Sequence, residues 1–338
     1  MDLEGKILFR DKLISDLKEK KKLSDSSIKT YLRNLTKLNK DEMFKNFNFL
    51  KDTDVIIRRL SAYKENTKRN YLISIVSVLS LSDKPAVKKL YNTYYDLMMK
   101  KNDEINREVN PNELTDTQEK NWISWENVKE RYTSLEKEVD EFAKNKELSE
   151  QQYNTLLGYI IFSLYIHQAP RRNKDYQIMK LTNEYKPEDS KEFNYLDLHK
   201  REFIFNSYKT SSKYGTQIIK INDDLWNALN KYFYHHVCII RKNKSNSVKQ
   251  PVLLSNDFGD WFLLYHNHKP LDKVNSITRI LNKIFDKSIG SSMLRHIFLT
   301  DKYGKTLDEQ EKDASDMAHS KSMQKDYIKK PKSIVVTL

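Results

Sequence analysis

The sequence predicts a mainly α-helical protein with one small antiparallel β-sheet. Three observations carry this. Apolar residues recur at helical spacing through the first hundred positions, as in "SDSSIKTYLRNLTKLNK". The period changes between residues 194 and 222, where the short β-rich runs "NYLDL", "EFIFNSY" and "TQIIKI" are separated by turn-like segments. Helical patterns then resume and continue almost to the end.

Taken in order, "LISDLKEKKKL" opens the helical region. In "SDSSIKTYLRNLTKLNK", Ser and Asp offer N-caps ahead of Ile28, Leu32, Leu35 and Leu38. "KENTKRNYLISIVSVLSL" begins with Asn66 and Thr67 as cap candidates, and "PAVKKLYNTYYDLMMKK" places Pro85 at a helix start. These give a four-helix unit over roughly residues 5–100. Residues 101–120, "KNDEINREVNPNELTDTQEK", are polar without an apolar period and read as a linker. A second domain, 121–338, starts at "NWISWENVKERYTSLEKEV". "LGYIIFSLYIHQAP" is a buried helix stopped by Pro170. The three β-rich runs form the predicted three-stranded antiparallel sheet, with "KTSSKYG" in a hairpin turn. "DDLWNALNKYFYHHVCII", "LDKVNSITRILNKIF", "SSMLRHIFLTDKYG", "LDEQEKDASDMAHS" and "SMQKDYIKK" read as helices, and "SIVVTL" as a short β-like tail.

Charge narrows the class of partner. The net charge is +13 over 338 residues. Residues 1–100 carry 22 Lys and Arg against 13 acidic residues, residues 101–150 carry 8 against 14, and the remainder 30 against 20. Two basic blocks flanking an acidic segment suit a polyanion, because each neutralised phosphate releases condensed counterions. Only 13 of the cations are Arg, so an Arg pair carries weight here. A single cysteine, Cys238, excludes an intrachain disulfide framework and fits a reducing, intracellular setting. No run of apolar residues is long enough to span a membrane, and the N-terminus lacks the apolar core of a signal peptide. "YHHVC" packs His235, His236 and Cys238 too tightly for a tetrahedral metal set and reads as helix packing. There is no Gly-rich phosphate loop and no carboxylate cluster of the two-metal type, so no cofactor is expected.

Four stretches carry candidate chemistry. "APRRNKDY" holds Arg171 and Arg172. "SYKTSSKYG" holds Lys209 and Lys213. "SSMLRHIFLTD" holds Ser292, Arg295 and His296, and "MAHSKSMQKDY" holds His319 and Tyr327. In this order they resemble the tyrosine recombinase, or phage-integrase-like, family. "MLRHIFLT" is similar to that family's H-x-L-R-H-(S/T)-F-A-T box, "MAHSKSMQKDY" to its L-G-H-S…Y box, and "RRNKDY" to its R-x-S-E segment. In the last, Arg172 has the acid Asp175 three residues on.

The resemblance implies a helical core-binding domain followed by an α+β catalytic domain, closing as a clamp on double-stranded DNA. It implies a homo-oligomer on DNA, a tetramer in the synaptic complex. Tyr327 would be the nucleophile, Arg172 and Arg295 the phosphate clamp, Lys209 the proton donor to the leaving 5′-oxygen, and His319 a hydrogen-bond donor to the phosphate. Arg171 and Lys213 are the alternatives to Arg172 and Lys209. Ser292 stands where the family's box begins with His and would be a further catalytic residue, giving the phosphate a hydrogen bond without acting as a base, and His319 to Tyr327 is one residue shorter than the commonest family spacing. A type IB topoisomerase-like enzyme shares this residue set, and a DNA-binding protein with a weakened pocket is the reading from another class. The Lys-rich, Arg-poor composition suggests a mobile element or a large DNA virus, placing the protein in the nucleus or cytoplasm of a host cell.

Overall fold

The computed structural model describes residues 3–108, 113–236, 238–242, 249–253 and 260–316. The protein is mainly helical with a small mixed sheet, and divides into two compact units, Met1–Leu114 and Thr115–Leu338.

The first unit has five helices: α1 (Leu3–Glu19), α2 (Asp25–Leu38), α3 (Thr53–Leu60), α4 (Glu65–Leu79) and α5 (Pro85–Glu108). Ser24 caps α2, its hydroxyl accepting from the Ser27 N–H. Ile28, Leu32, Leu35 and Leu38 are all buried, as their spacing predicts. The sequence reading missed α3. This helix is only eight residues long and is started by Asp52, which accepts from the Val55 N–H at 3.1 Å. Two buried hydrogen bonds tie the unit together: Asn34 Nδ2 donates to Ser74 Oγ at 2.9 Å, and the Tyr94 hydroxyl donates to the Leu50 carbonyl at 2.8 Å.

The expected linker is corrected at both ends. Residues 101–108 are the last two turns of α5. Lys101 sits 2.6 Å from Glu65 and also pairs with Glu104, so polar side chains prolong this helix where apolar period fails. Residues 116–121 form a short helix, α6 (Asp116–Asn121), begun by a capping box between Thr115 and Gln118.

In the second unit α7 (Trp125–Phe142) packs on α8 (Glu150–Ile166), with the Tyr132 and Tyr159 rings stacked at 5.4 Å. From Leu156 to Tyr165 every residue of α8 is buried, which is why the segment reads apolar on all sides. A five-residue helix, α9 (Asn173–Gln177), leads into the sheet: β1 (Met179–Thr182), β2 (Asn194–Asp197), β3 (Glu202–Phe205) and, after the one-turn α10 (Ser211–Tyr214), β4 (Gln217–Lys220). Strand order is β1-β2-β3-β4. β2, β3 and β4 pair antiparallel, with Tyr195 opposite Ile204 and Phe203 opposite Ile219. β1 adds to β2 in parallel, Met179 opposite Asn194. The sheet is therefore four-stranded and mixed, not three-stranded and antiparallel. "MKLT" is too short to show an alternating period by itself.

Helix α11 (Asp223–Phe233) ends sooner than "YHHVCII" suggests, and Cys238 opens a two-stranded antiparallel ribbon, β5 (Cys238–Lys242) with β6 (Lys249–Leu253). Packing is thus the right reading of His236, though not on a helix. Last come α12 (Ser276–Phe285) and α13 (Ser291–Asp316). The latter is one helix where the sequence suggested two. Gly304 is the apparent break, yet a glycine inside a helix costs only about 1 kcal/mol. No helix among the described residues is long and apolar enough to cross a membrane.

His236 follows α11, with its ring 5.0 Å from that of Tyr232. Burial pushes its pKa down to about 4, against about 6.5 in an unfolded chain. The folded state binds this proton less readily. The histidine's contribution to stability is therefore complete above about pH 6.5 and is lost as pH falls toward 4. Over that window this group is expected to remove up to about 3 kcal/mol. Denaturant unfolding followed against pH should show a flatter acid limb in His236→Phe, and identical slopes in the two proteins would refute the assignment.

Candidate active site

Helix α8 delivers the chain to Pro170, and the two following arginines diverge. Arg171 turns into a closed set of partners. Its Nε donates to Asp175 Oδ2 at 3.0 Å, one Nη donates to Gln217 Oε1 at 2.9 Å, and its guanidinium lies 3.8 Å from the centre of the Phe205 ring. Arg172 occupies the N-cap position of α9. It makes no side-chain hydrogen bond or ion pair among the described residues.

Arg171, Arg172 and Arg295 all line one recess, of about 290 Å³, together with Asp175, Tyr208, Thr210 and Gln217. Arg295 comes from the first turns of α13, its Nε donating to the Ser291 carbonyl at 3.2 Å. Burial and the neighbouring Arg172 charge both press the Arg295 pKa down from its usual value. Burial lifts the Asp175 carboxyl above its usual range, while Arg171, Arg172 and Arg295 act against that lift. Three guanidinium groups thus surround one buried carboxylate, and the carboxylate is already bonded to Arg171. Arg172 and Arg295 are left without an ion pair among the described residues, in a space that Arg171 also lines. Such a pair suits a tetrahedral oxyanion, since each planar guanidinium presents parallel N–H groups to two oxygens.

A frame of buried polar bonds holds these elements in place. Asn194, buried in β2, donates from Nδ2 to the Asp175 carbonyl at 2.7 Å and to the Ser207 carbonyl at 3.1 Å. Its Oδ1 accepts from the backbone N–H groups of Asn206 and Ser207. One side chain therefore joins α9 to the start of the β3–β4 connection. Tyr165 donates to Asn173 Oδ1 at 2.8 Å, and Asn173 donates to Thr278 Oγ1 at 2.8 Å, linking α8 and α9 to α12. The Tyr208 hydroxyl donates to the Gly215 carbonyl at 2.7 Å and closes the connection on itself. Gly215 has φ of 65°, a left-handed value that other residues adopt at a cost. Asn194, Tyr208 and Gln217 were not singled out from sequence. The available signal was an Asn inside a strand otherwise fit for a core.

The expected residues fall as follows. Arg172 and Arg295 come together. Lys209 lies between two residues that line the recess, Tyr208 and Thr210, but is itself exposed and is not part of the lining. The expected hairpin turn is an eleven-residue connection between antiparallel β3 and β4 that contains α10, and Lys213 sits there, exposed, 5.2 Å from the Tyr214 ring. Ser292 is exposed on the first turn of α13, one turn before Arg295, and does not line the recess. His319 and Tyr327 lie outside the described residues, as does the β-like tail. No family model, curated protein or solved structure matches the chain.

Proposed function

We propose that the protein cuts and rejoins duplex DNA through a 3′-phosphotyrosyl intermediate, as a tyrosine recombinase of the integrase kind. The observation that carries this reading is the convergence of Arg172 and Arg295, distant in sequence, on one recess with no carboxylate committed to either. That convergence is what the order of motifs requires of a phosphate clamp.

In this reading the Tyr327 oxygen attacks the scissile phosphorus. The phenolic proton leaves to solvent, the bond from phosphorus to the 5′-oxygen breaks as the new bond forms, and Lys209 protonates the departing 5′-oxygen to give a 5′-hydroxyl. Arg172 and Arg295 stabilise charge gathering on the non-bridging oxygens, and His319 donates a further hydrogen bond. Reversal by another 5′-hydroxyl rejoins the strand, and the covalent bond conserves the energy of the cut backbone. The basic composition supplies sequence-independent affinity for duplex.

The test is a duplex nicked beside the scissile phosphate, so that the short 5′-hydroxyl fragment diffuses away and religation fails. The chain is expected to become covalently attached through the 3′-phosphate of the strand on the 5′ side of the cut, as a protease-sensitive, SDS-stable adduct. Salt-sensitive binding without any adduct would reduce the protein to a DNA-binding relative of this chemistry. Adducts that form equally on single and paired sites would favour the topoisomerase-like alternative.

A further inference from the structure

A groove of about 1080 Å³ lies wholly within the unit Met1–Leu114, between α1, the segment from Asn46 to Thr53, and the turn joining α4 to α5. Its floor is apolar, with Phe9, Leu13, Phe47 and Leu90 among the residues that line it. Its rim is basic. Lys12, Lys51, Lys84 and Lys89 are exposed and form no ion pair among the described residues. A fifth lysine, Lys20, is bonded to Asp16 at 2.8 Å, and Asp83 is the only other acid of the lining.

Duplex DNA would use the lysines and leave the apolar floor unmatched. A small apolar ligand would use the floor and leave four lysines idle. Both features together suit an amphipathic acidic helix, which lays apolar anchors in a groove and sets carboxylates against its rim.

The chain carries such a helix. Helix α13 presents Leu299, Tyr303 and Leu307, four residues apart on one face, at 51%, 52% and 39% exposure. From Leu307 to Asp316 the sequence holds five acidic residues and one lysine. Asp308 and Glu309 are exposed and form no ion pair among the described residues.

We infer that the groove of one copy receives the acidic segment Leu299–Asp316 of a second copy. Each copy carries both surfaces, so pairing is reciprocal in a two-fold dimer or head-to-tail in a longer assembly. The inference concerns association without DNA and stands apart from the strand-transfer reading.

The test is sedimentation equilibrium of the full chain in the absence of DNA. Wild type is expected to self-associate at low salt and to weaken as salt rises. Two double variants reverse one side each, Lys51→Glu with Lys89→Glu in the groove and Asp308→Lys with Glu309→Lys on the helix. All four side chains are exposed, and circular dichroism checks that both variants stay folded. Each alone should associate at least about tenfold more weakly. Mixing the two should restore association, because each then offers the other a complementary surface. A wild type that stays monomeric, variants that associate like wild type, or a mixture that remains monomeric would each overturn the inference. A duplex-binding groove predicts the first of these outcomes.

Discussion

Tyr327→Phe is expected to abolish covalent attachment to a nicked duplex while leaving affinity for that duplex unchanged. The substitution removes one oxygen and keeps the ring. Without that oxygen no bond to phosphorus can form, so the effect is the complete loss of a product rather than a slower rate. A tyrosine hydroxyl ordinarily gives up its proton near pH 10, and a cationic recess lowers the cost of the phenolate. Arg172 and Arg295 supply such a recess. The assignment of Tyr327 rests on the motif "MAHSKSMQKDY". The measurement is the yield of SDS-stable adduct beside a filter-binding isotherm. An adduct that persists in Tyr327→Phe moves the nucleophile elsewhere. Loss of adduct together with loss of binding would give the ring a structural role instead.

Much of the fold is legible because burial follows period. The face Ile28, Leu32, Leu35 and Leu38 of α2 and the all-apolar α8 were both readable from spacing. The failures share a physical cause. α3, β1 and α10 are too short for a period to show, and their limits are set by a cap, a strand partner and a loop closure respectively. Residues 101–108 stay helical through Lys101 bridging Glu65, a contact between α4 and α5 that no local window contains. The site divides in the same way. The family resemblance pointed to Arg172 and Arg295, with Arg171 as the alternative to Arg172. It did not separate the two adjacent arginines, both of which line the recess: only Arg171 is held by Asp175, Gln217 and Phe205, and the last two lie far from it in sequence. Asn194 escaped notice because its importance lies in joining α9 to the β3–β4 connection, a relation absent from its neighbours in sequence.

The second large effect separates the three arginines. Arg172→Ala and Arg295→Ala are each expected to slow single-turnover adduct formation by about 100-fold or more, the scale on which a lost transition-state donor is felt. Fold and thermal stability should change little in Arg172→Ala, since its side chain makes no hydrogen bond or ion pair among the described residues. Arg295→Lys should recover only part of the rate, because an ammonium cannot present two parallel donors. Arg171→Ala should behave differently. It strips the buried Asp175 of its partner, and breaking a buried pair from one side costs about 3–5 kcal/mol. The loss should therefore appear first as a lowered Tm, and Arg171→Ala combined with Asp175→Asn should regain part of it by removing the stranded charge. Ser292→Ala serves as the internal control. Ser292 is exposed and stands outside the recess, so its loss should cost less than about tenfold, or 1.4 kcal/mol in the barrier. A Ser292→Ala defect as deep as that of Arg295→Ala would place essential chemistry on the rim. A rate defect in Arg171→Ala at full thermal stability would mean that Arg171, rather than Arg172, meets the phosphate.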